Sequence, residues 1–211
     1  MQRDVTGAVH ETPDQLFERV AKGVAAAELH WENDAQAMLW ESKFFEVMHQ
    51  LLFLPNSPTL MNAGTPSNQL SACFVLPVMD HLEDIFSTLK LAALIQQSGG
   101  GTGFNFSHLR PKNDLLHQTQ GTASGPVSFM KIFDASTEHV KQGRRRRGAN
   151  MGILNVDHPD IEEFISAKTQ EGSFRNFNIS VGMSDAFMLS LQRDDHWPLI
   201  HPNTRNTVKK I

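Results

Sequence analysis

The chain has 211 residues and a mass of 23.6 kDa, which suits one ordinary domain or a small domain with part of a larger one. Its residues are 40% apolar and 20% charged, a composition that excludes intrinsic disorder, and no apolar run approaches the roughly 20 residues of a membrane-spanning helix. The net charge of −4 conceals one basic segment, residues 141–147, which holds five of the 19 Lys and Arg residues and no acidic residue. This asymmetry argues against a general nucleic-acid coat and predicts one site for an anion.

The chain contains one cysteine, Cys73, so an internal disulfide framework and a cysteine-rich metal site are excluded. His108, His139 and His158 lack the paired spacing of metal ligands, and we expect no metal site. The first residues do not begin a hydrophobic leader, and we expect no secretory signal. The predicted location is therefore the cytoplasm.

The N-terminal third is predicted to be helical. One helix begins at Thr12-Pro13, because proline is tolerated in the first turn. A second runs from about residue 34 to 52, and its predicted apolar stripe consists of Met38, Phe45, Met48 and Leu52. Residues 55–69 contain three prolines and predict an irregular loop, so we expect a domain boundary between residues 69 and 70.

From residue 70 onward, apolar runs typical of strands alternate with helical periodicity. Strands are predicted at 73–78, 103–107, 151–156 and 176–181. Helices are predicted at 82–97 and 126–140, from residue 159 with Ile165 facing inward, and after Ser184. Asp80 followed by Glu83 resembles an N-cap with its return acid, and the tail resembles a strand that has only begun. The alternation indicates an α/β fold with some parallel strands.

Four features could carry chemistry. The run Ser98-Gly-Gly-Gly-Thr-Gly-Phe104 could let a backbone approach a ligand, or could simply end a helix before a strand. The segment Lys141-Gln-Gly-Arg-Arg-Arg-Arg-Gly-Ala-Asn150 suits phosphate binding, or is a solvated charge run. Cys73 could be a small buried apolar residue or half of a dithiol. Asp80 and Arg110 could bind a nucleotide, or be a helix cap and a surface charge.

Five segments in the same order resemble the large catalytic chain of ribonucleotide reductase. They are Asn56-Ser-Pro-Thr-Leu-Met-Asn-Ala-Gly-Thr65, Gln69-Leu-Ser-Ala-Cys-Phe-Val-Leu76, Ser98-Gly-Gly-Gly-Thr-Gly-Phe-Asn-Phe-Ser107 with Leu109-Arg-Pro111, Gly125-Pro-Val-Ser-Phe-Met-Lys131 and Arg146-Arg-Gly-Ala-Asn-Met-Gly-Ile-Leu154. The resemblance extends from about residue 12 to 211 and is strongest to the adenosylcobalamin-dependent class II branch.

This resemblance implies an α/β fold in which a helical N-terminal region, residues 1–69, carries a substrate loop. Residues 70–211 would form the first part of a ten-stranded α/β barrel. Ser57, Ala72, Cys73 and Gly101 match positions that contact the substrate. Cys73 also matches one of two cysteines that supply reducing equivalents and then form a disulfide.

The resemblance further implies a regulatory site. Asp80 and Arg110 match residues that bind a deoxynucleoside triphosphate effector. The loop that matches the link between effector and substrate choice includes Lys141, Gln142, Gly143, Arg146 and Arg147, and a loop with two arrangements suits such coupling. Family members often have glycine where this chain has Arg144.

The family's radical cysteine lies in an Asn-x-Cys-x-Glu segment that these 211 residues do not contain. We therefore expect an N-terminal fragment or one piece of a split enzyme, inactive alone. The complete enzyme is expected to reduce ribonucleotides to deoxyribonucleotides with adenosylcobalamin. Its expected partners are the remaining C-terminal part, a thioredoxin-like reductant and a second copy in a homo-oligomer. Two alternatives remain: a deoxynucleotide-sensing module without catalysis, and an RNA-binding module that uses the arginine loop.

Overall fold

The computed structural model describes residues 2, 6–116, 120–140 and 148–211. Over these ranges the chain forms two compact units, and the division falls between Ala72 and Cys73. We call the residues up to Ala72 the helical unit and the residues from Cys73 onward the α/β unit. Among the described residues, no helix is both long and apolar enough to cross a membrane.

Local capping signals set the helix starts of the helical unit. Its helices are α1 (Pro13–Ala25), a short 3-10 helix (Ala26–His30), α2 (Asp34–His49) and α3 (Ser57–Asn62). The hydroxyl of Thr12 accepts a hydrogen bond from the backbone N–H of Gln15, whose side chain accepts one from the N–H of Thr12. This reciprocal capping box begins α1 at the predicted position.

The core of the helical unit is small, and it corrects the predicted stripe of α2. Of that stripe, Met48 is buried against Val20 and Ala21 of α1, whereas Met38 and Leu52 are exposed. Leu52 lies beyond the end of α2 and so cannot continue its face, and Met38 lies in the first half of α2, which contributes nothing to this core.

The irregular loop predicted for residues 55–69 is wrong in part, because α3 lies within it. The side chain of Asn56 caps this helix by accepting a hydrogen bond of 2.8 Å from the N–H of Thr59. Pro58 stands in the first turn, where a missing N–H costs nothing. This asparagine and proline therefore begin a helix instead of marking a turn.

The α/β unit is built on four parallel strands. In spatial order these are β1 (Cys73–Pro77), β2 (Gly101–Asn105), β3 (Asn150–Asn155) and β4 (Phe177–Gly182). The helices that follow them in turn are α4 (Leu82–Gln97), α5 (Pro126–His139), α6 (Ile161–Ser166) and α7 (Asp185–Gln192). An antiparallel pair, β5 (Pro198–Ile200) and β6 (Thr207–Lys210), ends the described chain. The predicted α/β fold is confirmed, and this order agrees with the start of the predicted barrel.

Three details of the α/β unit differ from prediction. Strand β2 begins at Gly101 instead of Gly103, because the pairing of Gly101 with Cys73 outweighs the poor strand propensity of glycine. Asp80 does not cap α4: His81 occupies the N-cap position, and the Asp80 carboxylate pairs with Arg110. Ile165 is exposed, because the buried face of α6 consists of Ile161 and Phe164.

One face of the sheet packs on helices and forms the core. Phe104 of β2 and Phe177 of β4 lie on this face, and the rings of Phe104 and Phe133 of α5 are in edge contact, with centroids 4.8 Å apart. Because side chains alternate along a strand, the residues between these point to the other face.

The other face, which we call the open face, carries no buried residue in the described chain. It consists of Cys73, Val75, Pro77, Gly101, Gly103, Asn105, Met151, Ile153, Asn155, Asn178, Ser180 and Gly182. Parallel sheets are normally covered on both faces, so this side is available to a ligand or to another segment of protein.

Candidate functional site

Cys73 and Gly101 lie side by side at the start of two neighbouring strands. They are direct partners in the parallel pairing of β1 and β2, and the Cys73 side chain is exposed. The interpretation of Cys73 as a small buried residue is therefore wrong. At Gly103, two residues further along β2, a Cβ atom would meet nothing closer than the Met151 Cβ at 3.7 Å. The open face therefore has room at Gly103, beside Val75 and two residues along β2 from the partner of Cys73.

A buried polar network supports this end of the sheet from the core side. Asn150 Oδ1 accepts hydrogen bonds from Gln96 Nε2 at 2.8 Å and Thr102 Oγ1 at 2.7 Å, and Asn150 Nδ2 donates to Thr137 Oγ1 at 2.8 Å. All four residues are at most 4% exposed. They tie the ends of α4 and α5 to the starts of β2 and β3. These contacts join residues up to 54 positions apart, so no local sequence pattern indicates them.

Ser57 and Ala72, the other two predicted substrate contacts, belong to the helical unit. Ser57 is the first residue of α3 and follows the capping residue Asn56. Ala72 directly precedes Cys73 in the chain and is half-buried. Their predicted contact with a substrate stays a prediction.

The structure brings Asp80 and Arg110 together, although 30 residues separate them. Asp80 Oδ2 accepts a hydrogen bond of 2.8 Å from Arg110 Nε, and Asp80 Oδ1 accepts one of 3.1 Å from the Arg110 backbone N–H. Asn203 Nδ2 also donates to Asp80 Oδ2, at 2.7 Å. Sequence analysis missed Asn203, because no local pattern connects residues 123 positions apart.

This ion pair borders a cavity of about 630 Å³. The walls of this cavity include Leu82, Leu116 and Phe129 besides the charged pair, so it is lined by both apolar and ionic side chains. A cavity of this size, mostly apolar with a few polar groups, is typical of small-molecule sites.

Two titratable residues anchor the segment that carries Arg110. His158 is buried, and its Nε2 lies 2.8 Å from the carbonyl oxygen of Leu109. Burial lowers the pKa of His158, because the charged imidazolium loses its hydration. Asp160 Oδ2 accepts a hydrogen bond of 2.8 Å from the backbone N–H of Lys112, and burial raises the pKa of this carboxyl. The side chains of His158 and Asp160 thus hold residues 109–112, which include Arg110, in place.

The predicted coupling residues Lys141, Gln142, Gly143, Arg146 and Arg147 lie outside the described residues. The chain on either side is described: α5 ends at His139, and β3 begins at Asn150. The role of this loop stays a prediction.

Comparison with known families and proteins agrees with this arrangement. Two family models match the chain: "Ribonucleotide reductase, all-alpha domain" over residues 1–68 and "Ribonucleotide reductase, barrel domain" over residues 71–211. A vitamin B12-dependent ribonucleoside-diphosphate reductase of Thermoplasma acidophilum is 62% identical over 171 residues, which cover 81% of this chain and 22% of that protein.

More distant relatives extend the similarity over almost the whole chain. A vitamin B12-dependent ribonucleoside-diphosphate reductase of Mycobacterium tuberculosis is 46% identical over 209 residues, 99% of this chain and 30% of that protein. A ribonucleoside-diphosphate reductase large chain of Schizosaccharomyces pombe is 32% identical over 205 residues, which cover 94% of this chain and 24% of that protein. The chain thus spans less than a third of the length of these relatives. The matched domains, in this order, show that the chain belongs to the ribonucleotide reductase large-chain family.

Proposed function

We propose that this chain is the N-terminal part of a ribonucleotide reductase that converts ribonucleotides to deoxyribonucleotides by cysteine-radical chemistry. The observation that carries the proposal is the exposed thiol of Cys73, which stands beside Gly101 on the open face of the sheet. In the proposed division, residues 1–69 contribute the substrate loop with Ser57, and residues 70–211 contribute the first barrel strands. A free thiol suits a reducing compartment, and we place the enzyme in the cytoplasm.

The proposed role of Cys73 is that of reductant. Replacing the ribose 2′-hydroxyl by hydrogen releases the oxygen as water and requires two electrons. Two thiols supply them and become one disulfide. Cys73 is the only cysteine in the chain, so the second thiol and the radical cysteine that abstracts the 3′-hydrogen belong to the remaining C-terminal part. A thioredoxin-like reductant then restores the thiols.

The same proposal assigns Ala72 and the Gly101 backbone to substrate contact. The two glycines of β2, Gly101 and Gly103, support this assignment, because glycine inside a strand is typical of places where a ligand approaches closely. Asp80 and Arg110 are assigned to a deoxynucleoside triphosphate effector, supported by the cavity that they border. Guanidinium groups bind phosphate through paired charge-assisted hydrogen bonds.

The names of the relatives point to adenosylcobalamin as the cofactor of the complete enzyme. The open face carries no histidine that could ligate cobalt, so we assign no residue of this chain to it. When bound, that cofactor supplies the radical. The residues of this chain hold and reduce the substrate.

The test uses a complete enzyme in which this chain is joined to, or mixed with, the remaining part of a reductase. Cys73→Ser should abolish turnover under dithiol recycling and leave effector binding unchanged. Ser87→Ala, an exposed hydroxyl on α4, is the control and should retain turnover. The 211-residue chain alone should show no turnover, since a single cysteine cannot close the disulfide.

A nucleotide-sensing module without chemistry is the competing function, and the cavity beside Asp80 and Arg110 suits it as well. It would show selective deoxynucleotide binding but no turnover in any combination with the remaining part. Turnover that survives Cys73→Ser would also contradict the proposed reductant.

A further inference from the structure

The turn between β5 and β6 holds both sides of the proposed effector site from a distant part of the chain. At one side, Asn203 Nδ2 donates the hydrogen bond of 2.7 Å to Asp80 Oδ2. At the other, His201 Nε2 lies 3.2 Å from Asp114 Oδ2. Asp114 itself does not border the cavity, but Arg110 and Leu116 on either side of it do. One short turn therefore connects two segments that meet at this cavity.

The turn is rigid enough to position a side chain. The backbone N–H of His201 donates to the carbonyl of Asn206, and the N–H of Arg205 donates back to the carbonyl of His201, both at 2.9 Å. The imidazole Nδ1 of the nearly buried His201 accepts hydrogen bonds from the N–H groups of Asn203 and Thr204. These hydrogen bonds hold the backbone of Asn203 in place, so little conformational freedom is lost when its side chain donates to Asp80.

The importance of the hydrogen bond from Asn203 depends on the other groups that hold the Asp80 carboxylate. The carboxylate is held by the backbone N–H and Nε of Arg110 and by Asn203. A phosphate that engages the Arg110 guanidinium competes with the Asp80 carboxylate for the same cationic group. Of the two side chains that hold Asp80, Asn203 is the one that a phosphate does not draw away.

We propose that Asn203 is a positioning residue for the effector site, holding the Asp80 carboxylate in place when Arg110 engages the phosphates of a deoxynucleotide. This inference rests on the proposed function of Asp80 and Arg110. It adds the β5–β6 turn to that site, although Asn203 itself does not border the cavity.

The test measures binding of dATP, dGTP and dTTP by calorimetry to the complete enzyme, in which this chain is joined to, or mixed with, the remaining part of a reductase. Asn203→Ala should weaken the best of these ligands about fivefold to tenfold, the range expected when one hydrogen bond to a charged group is lost near solvent. Asn206→Ala removes an exposed side chain of the same turn and keeps the backbone bonds, so its affinity should equal that of the wild type. Thermal melts should show a small drop in midpoint for Asn203→Ala, which loses one exposed hydrogen bond, and none for Asn206→Ala.

A double-mutant cycle separates positioning from a general structural role. In an Asp80→Ala background, Asn203→Ala should have no further effect on affinity, because the residue through which it acts is gone. Equal affinity of Asn203→Ala and wild type would overturn the inference, as would the same loss in both backgrounds. If the wild-type complete enzyme binds none of the three ligands, the proposed function of Asp80 and Arg110 fails, and this result is distinct from the two outcomes that overturn the role of Asn203.

Discussion

Asn150 offers the most exacting stability test, because its buried side chain joins three other polar groups. Truncation to alanine removes the acceptor of the Thr102 hydroxyl at 2.7 Å. Gln96 Nε2 keeps two other acceptors, the hydroxyls of Thr102 and Thr137, each at 3.1 Å, and the Thr137 hydroxyl still donates to the Phe133 carbonyl. One buried hydroxyl is therefore left without an acceptor.

The magnitude follows from that count. An unsatisfied buried hydroxyl costs about 2 kcal/mol, and the space left by the amide costs about 1 kcal/mol more. Asn150→Ala should thus lower the free energy of unfolding of the α/β unit by about 3 kcal/mol. Thr102→Val removes the stranded hydroxyl, so its cost in the Asn150→Ala background should be about 2 kcal/mol smaller than in the wild type.

The assay is urea unfolding followed by tryptophan fluorescence. Replacing Trp31 and Trp40 of the helical unit by phenylalanine leaves Trp197, which packs against the core of the α/β unit, as the reporter. Asn178→Ala, the same truncation at an exposed position of β4, is the matched control and should change stability by less than about 0.5 kcal/mol. A loss of under about 1 kcal/mol for Asn150→Ala, or full additivity with Thr102→Val, would refute the reasoning.

Four further predictions concern capping, charge and pH. Asn56→Ala should lower the free energy of unfolding of the helical unit by about 1 kcal/mol, because the N–H of Thr59 loses its capping acceptor. Urea unfolding followed by circular dichroism tests this. Arg19→Met should cost about 3 kcal/mol in the same assay, because the buried Glu11 carboxylate loses the 2.7 Å ion pair with Arg19. The hydrogen bond from Arg19 lowers the pKa of Glu11, so wild-type stability should fall as the pH drops below about 4.5, and this dependence should weaken in Arg19→Met. Burial lowers the pKa of His158, so the unfolded chain takes up this proton at a higher pH than the folded one, and the α/β unit should lose stability as the pH falls below about 6.5. His158→Gln should weaken this loss of stability at acidic pH, measured by fluorescence-detected unfolding, and an unchanged pH dependence would contradict the assignment.

Local signals predicted most of the elements. The capping box at Thr12 and the cap at Ser184, whose hydroxyl accepts from the Phe187 N–H at 3.2 Å, act over three residues, so they can be read from the chain alone. The same rule applied to Asn56 would have predicted α3. Strand β5, with its three residues, had no comparable pattern and was missed, because its pairing with β6 is what makes it a strand.

The sequence by itself determined the family, the order of helices and strands, and the identity of the residues that match its motifs. Tertiary structure alone decided that Cys73 is exposed beside Gly101 and that Asp80 pairs with Arg110 instead of capping α4. It also decided that Asn203 reaches Asp80. Helix starts depend on hydrogen bonds between residues a few positions apart, which the local sequence specifies. Which distant groups meet depends on which sheet face the helices bury and which strands become neighbours, and these follow from the packing of the whole unit.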